Sequence, residues 1–168
     1  MGPTKSRSRL CTTLLAASLF AAGANAEELD ERFDRDVLIV DAATACLRFD
    51  VYLAVTREQQ IRGLMFVREL PSTTGMLFVY EGQRQRSMWM RNTYIPLDIA
   101  FARQDGSILN IARDTVPLSE ESVSSTGPAT YVLELNAGVT EALSIEPGSR
   151  LLLWPAPNGG DVSLAVEE

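Results

Sequence analysis

From residue 37 onward, short apolar runs alternate with turn-forming clusters, the pattern of a sheet protein. Val37 to Val40 is the first run. Cys46 to Val55 alternates, with Leu47, Phe49, Val51 and Leu53 on one face and Arg48 and Asp50 on the other. Thr56 then reads as a helix N-cap, with Gln59 three residues on completing a capping box. The spacing predicts a helix from about Arg57 to Met65, with Ile61, Leu64 and Met65 inward. Strands follow at Met76 to Tyr80 and Ser87 to Arg91. Leu97 to Arg103 and Ser107 to Arg113 flank Asp105-Gly106, a strong hairpin signal. Pro117 to Pro128 is a long loop, Tyr131 to Leu135 a strand, and Asn136 the expected cap of a short helix ending at Leu143. Leu151 to Trp154 is the last strand. Many short strands with two short helices predict a mainly β chain, a compact β-sandwich or barrel-like domain.

The two ends read differently. Lys5, Arg7 and Arg9 precede an uncharged apolar stretch from Leu10 to Ala22, and Ala24-Asn25-Ala26 has the small-x-small form of a cleavage site. Residues 1–26 are therefore expected to be a secretory signal peptide. The stretch is 13 residues long, whereas a spanning helix needs roughly 20. No membrane span is expected after cleavage, and the expected location is periplasmic or secreted. Residues 27–44 read as a loose N-terminal arm and first strand, 45–155 as a single β-rich domain, and 156–168 as a flexible C-terminal tail.

Composition removes whole classes of chemistry. The 168 residues include no His, so histidine triads, imidazole metal ligands and histidine acid-base catalysis are absent. Lys5 is the only lysine, so a chain cleaved after Ala26 has no lysine nucleophile or Schiff base. That chain would carry 12 arginines against 22 acids. Such a balance argues against nucleic acid as a partner. Its single cysteine, Cys46, allows no intrachain disulfide and reads as a buried thiol.

The densest chemistry lies between Gly75 and Phe101, joined by Glu134. Strand parity puts Met88 and Met90 on one face and Trp89 on the other. Asp98 points away from Leu97, Ile99 and Phe101, and Glu134 away from Leu133 and Leu135. Carboxylates among apolar residues need partners. One reading is a pocket floored by Trp89, with Asp98 and Glu134 as polar anchors for a carbohydrate or cell-envelope ligand. A second is a hydrolase using both acids, which requires them roughly 5–10 Å apart. A third is a structural or partner-binding envelope protein, with Asp98 capping the 92–96 turn, Glu134 paired with an arginine, and loop 117–128 as the contact. Met65, Met76, Met88 and Met90 suggest copper(I) by ligand softness, but core packing accounts for them better. No metal and no cofactor is expected.

Three motifs converge on a known family. Arg62-Gly63-Leu64-Met65-Phe66-x-Arg68, Gly75-Met76-Leu77-Phe78 and Trp89-Met90-x-Asn92-Thr93-x-x-Pro96-Leu97-Asp98 resemble domain-of-unknown-function family 192. Pro117, Tyr131-Val132-Leu133-Glu134 and Gly138 extend the resemblance over about residues 45–153. The resemblance implies a compact β-sandwich-like domain, commonly secreted by bacteria and archaea, with no established activity. It singles out Arg62, Trp89, Asn92, Thr93, Asp98 and Glu134 as a signature without assigned roles.

Overall fold

The computed structural model describes residues 28–153. Residues 28–32 are helical, and Leu29 and Phe33 are buried, so the segment expected to be a loose arm is part of the packed body. The strands are β1 (Asp34–Asp41), β2 (Cys46–Ala54), β3 (Thr74–Arg84), β4 (Ser87–Met88), β5 (Leu97–Ala102), β6 (Ile108–Ala112), β7 (Val123–Ser124), β8 (Ala129–Asn136) and β9 (Arg150–Leu153). The helices after the first are α1 (Arg57–Arg62) and α2 (Val139–Ala142). The expected signal peptide and the expected tail lie outside the described residues.

Seven strands form one sheet in the order β6-β5-β8-β3-β2-β1-β9, and β4 pairs separately with β7. Only β2 and β3 run parallel, joined by the crossover that carries α1. The sheet curls until its two ends meet. Ser107 bridges Arg150, Leu151 N donates to Gly106 O (2.9 Å), and Ile108 N donates to Ser149 O (2.8 Å). Closure pairs groups that an open edge would leave bare. It also explains Gly106, at φ +81, where an added Cβ would lie 2.2 Å from Leu151 O.

The curl separates two cores. All seven strands send side chains inward, including Leu38, Phe49, Leu77, Ala100, Ile108, Leu133 and Leu151. On the outer face, Tyr52, Met76, Phe78, Ile99, Phe101 and Val132 are covered by Leu29, Phe33, Leu64, Val67 and Met90. Strands β3, β5 and β8 are thus apolar on both sides, which is why they read as continuous runs rather than alternations.

The capping box is present: Gln59 N donates to Thr56 Oγ1 (3.2 Å), and Thr56 N donates to Gln59 Oε1 (3.0 Å). Thr56→Ala is expected to cost about 1 kcal/mol in urea unfolding, because one helix-end donor loses its partner. Several expectations need correction. The helix stops at Arg62, because Gly63 turns the chain at φ +45, and Ile61 faces out at 61% exposure. Strand β4 is only two residues, so alternation cannot be extended through Met90. Gly138, in the left-handed conformation, precedes α2 in place of Asn136. Cys46 is exposed because it shares strand parity with Arg48 and Asp50.

Candidate functional site

Outside the curled sheet, the end of α1, strand β3 and the segment 87–93 enclose a pocket of about 170 Å³. Gln60, Arg62 and Met65 come from α1 and its exit, Phe78 and Tyr80 from β3, and Met88, Trp89 and Thr93 from the third side. Glu134 of β8 supplies the floor. The sheet register sets it there: Glu134 lies opposite Met76 on one side and Ile99 on the other, both fully buried. A larger depression of about 300 Å³ lies between β2 and α2, but its walls hold no buried ionisable group.

Glu134 is 4% exposed. Among the described residues nothing pairs with its carboxyl, and burial alone pushes it from 4.5 up to about 8. The Tyr80 hydroxyl is pushed up to about 12, first by its own burial and then by the charge of Glu134. Tyr80 donates instead to Met88 Sδ (3.5 Å). Arg62 lines the pocket but is held elsewhere, donating to Glu28 Oε1 (2.6 Å) and to the Met65 carbonyl. A buried acid without a partner costs stability, and such groups gather at functional sites.

The surface next to the pocket carries a second sign. Phe66 (φ 69), Asn92 (φ 56) and Leu118 (φ 63) occupy the left-handed region, where bulky residues are strained. They belong to adjoining segments: Phe66 N donates to Asn92 O (2.8 Å), and Leu118 N to Thr93 O (3.1 Å). Phe66, Trp89, Tyr94 and Leu118 are all exposed, Trp89 by 46%. Phe66 and Tyr94 meet edge to face at 6.1 Å. Arginines lie over these rings: Arg62 over Phe66 (4.8 Å), Arg68 over Tyr94 (5.0 Å) and Arg91 over Trp89 (5.5 Å).

Of the residues singled out in the sequence, Arg62, Trp89, Thr93 and Glu134 meet at this pocket. Asn92 supports its rim, with Nδ2 3.9 Å from Met65 Sδ. Asp98 does not belong. It is fully buried, and it pairs with Leu135 while Ile99 pairs with Glu134. The two carboxyls therefore leave the sheet on opposite faces, and the two-acid hydrolase is ruled out. Asp98 Oδ1 accepts from Asp114 N (3.0 Å), and Oδ2 from Thr140 N (3.0 Å) and Thr140 Oγ1 (2.7 Å). It caps α2 and the left-handed turn at Asp114, not the 92–96 turn. Nor does Glu134 pair with an arginine: Arg113 is spent on Thr140, Ile145 O and Glu146.

Met65, Tyr80 and Met88 were missed as pocket residues. Met65 lies inside the Arg62–Arg68 motif, and Met65 and Met88 stand out as soft thioethers, signals available in the sequence; Tyr80 carried none. Met76 and Met90 are core residues, and Met90 Sδ accepts from Thr115 Oγ1 (3.2 Å). Among the described residues, no helix is long and apolar enough to cross a membrane.

Two solved structures are similar to this chain. A candidate transcription regulator from Sinorhizobium meliloti is 39% identical, with a TM-score of 0.71 over 72% of this chain and 95% of its own. A protein of unknown function from Novosphingobium aromaticivorans is 38% identical, with a TM-score of 0.69 over 71% of this chain and 85% of its own. No curated protein matches. Residues 38–153 match the family model DUF192, described as Uncharacterized ACR, and the chain belongs to that family.

Proposed function

We propose that this protein is a binding module, acting in the periplasm or outside the cell, that takes one end of a small carbohydrate or cell-envelope ligand into the Glu134 pocket. The observation that carries this reading is the buried carboxyl, without a partner among the described residues, at the floor of a small cavity. A cavity of about 150 Å³ admits a benzene ring, so about 170 Å³ has room for one substituent or edge of a sugar, or for a short chain end. Trp89 stands at the mouth, where an indole face can stack on the rest of the ligand. Phe66, next to the pocket-lining Met65, holds the adjoining chain in a left-handed conformation that costs a bulky residue energy, a common mark of a preorganised site.

The test is a thermal-shift screen of soluble sugars and peptidoglycan fragments. A ligand at 100 times its Kd should stabilise by about 2.7 kcal/mol, a shift of several degrees for a domain of this size. Trp89→Ala is expected to weaken a hit at least tenfold with little loss of stability, since the indole is half exposed. A hit insensitive to both Trp89→Ala and Glu134→Gln would move the site elsewhere. A panel without any hit would remove this ligand class.

A further inference from the structure

We infer that the group entering the pocket is a protonated amine, with Glu134 as its counter-charge and the Tyr80, Trp89, Met65 and Met88 side chains as its walls. The inference rests on the binding-module reading and narrows its ligand.

The polar inventory of the pocket selects this class. Gln60 Nε2 is spent on the carbonyls of Ala54, Val55 and Val79. Ser87 Oγ is shared with Ser124 Oγ (2.8 Å), and the Tyr80 hydroxyl is turned to Met88 Sδ. A neutral sugar ring buried here would lose water from several hydroxyls and find few partners in return, namely Glu134, Gln60 Oε1, the Thr93 hydroxyl and the Trp89 N–H. An anion fares worse: Glu134 repels it, and Arg62, the cation of the lining, is committed to Glu28 and the Met65 carbonyl. An ammonium group brings three donors and a charge. It gains an ion pair with Glu134 beside the polarisable Met65 and Met88 thioethers and the Trp89 ring, while the Tyr80 ring already carries the Arg86 guanidinium at 4.2 Å.

The proton balance is explicit. The free pocket near pH 7 holds Glu134 mostly as the neutral acid, because burial has pushed it to about 8. Binding an ammonium ion stabilises the carboxylate, so the acid proton leaves to solvent and the ligand keeps its own. The ionisable groups facing Glu134 are Tyr80 from β3 and Arg62 from α1; its sheet neighbours Met76 and Ile99 and the segment Ser87–Trp89 contribute none. Tyr80, pushed up to about 12, stays neutral throughout. The affinity for an alkylammonium, which stays protonated throughout, should therefore rise nearly tenfold from pH 6 to pH 7 and level off above pH 8.

The experiment is calorimetry on the purified protein with glucosamine, glucose, N-acetylglucosamine, n-butylammonium and n-butanol, in two buffers of different ionisation enthalpy at pH 7. The expected result is at least tenfold preference for each amine over its neutral analogue, with close to one proton released per n-butylammonium bound and a smaller net release for glucosamine, a weaker base that takes up part of a proton on binding. Both effects should vanish in Glu134→Gln, whose fold is checked by its melting curve. Binding of n-butylammonium without any sugar would uphold the amine and remove the carbohydrate reading. Equal binding of glucose and glucosamine would overturn the amine and leave the carbohydrate reading in place. Absence of binding by either amine would overturn the inference as well.

Discussion

Glu134→Gln is expected to leave stability at pH 5 within about 1 kcal/mol of the parent and to raise it by about 4 kcal/mol at pH 8, while abolishing amine binding. The sign follows from the direction of the shift. The carboxyl titrates near 4.5 in an unfolded chain and at about 8 in the fold. Between those values the folded protein holds a proton that the unfolded chain has released, so stability falls as pH rises through that window. The contribution is fully present below about 4.5 and is lost by the time pH passes about 8. Glutamine keeps the shape, stays neutral and carries a desolvation cost comparable to that of the protonated acid, so its variant has no such slope at this site. For a domain of this size the gain at pH 8 corresponds to roughly 10 °C in Tm. Urea unfolding at pH 5 and pH 8 checks it. Parallel slopes in parent and variant would show that Glu134 has a partner in solution. A residue whose replacement stabilises the fold and removes binding is one retained for function rather than for folding.

Asp98→Asn should do the reverse. Asp98 is fully buried and accepts three hydrogen bonds through its two oxygens. An amide nitrogen would confront donors from Thr140 or Asp114, leaving buried N–H groups without acceptors. The expected loss is about 2–4 kcal/mol. Ligand affinity of the folded fraction should stay within about twofold, since Asp98 lies behind the sheet from the pocket and the chemistry there is set by Glu134. Denaturant unfolding gives the first quantity and calorimetry at low temperature the second. Unchanged stability with lost binding would return Asp98 to the site. The opposite outcomes expected at these two acids separate a functional carboxyl from a structural one.

The elements themselves were largely legible. Alternation located β2, the Asp-Gly pair located the β5–β6 hairpin, and Thr56 with Gln59 marked the start of α1, because each depends on neighbours a few residues apart. The family motifs likewise named four of the residues that line the pocket. Less legible was the length of β4, where Met88 and Met90 suggest one strand face although pairing ends at Met88. Helix α1 misled at its end: Ile61 keeps helical spacing with the buried face, yet Gly63 redirects the chain and leaves Ile61 outside.

Asp98 and Glu134 mark the boundary between the two kinds of information. In sequence they are equivalent, each an acid pointing away from its apolar strand neighbours. Parity within a strand says only that a side chain differs from its neighbours; it does not relate one strand to another until the register is known. Pairing Ile99 with Glu134 and Asp98 with Leu135 sends them to opposite faces. One finds a helix end and a turn to cap, and the other finds thioethers, rings and no partner among the described residues. By itself the sequence determined a mainly β domain, its local elements and its family. Tertiary structure alone decided that the sheet closes on itself, and that one carboxyl of the two has no partner among the described residues and lies at the bottom of a pocket. Those outcomes depend on contacts between residues far apart in the chain.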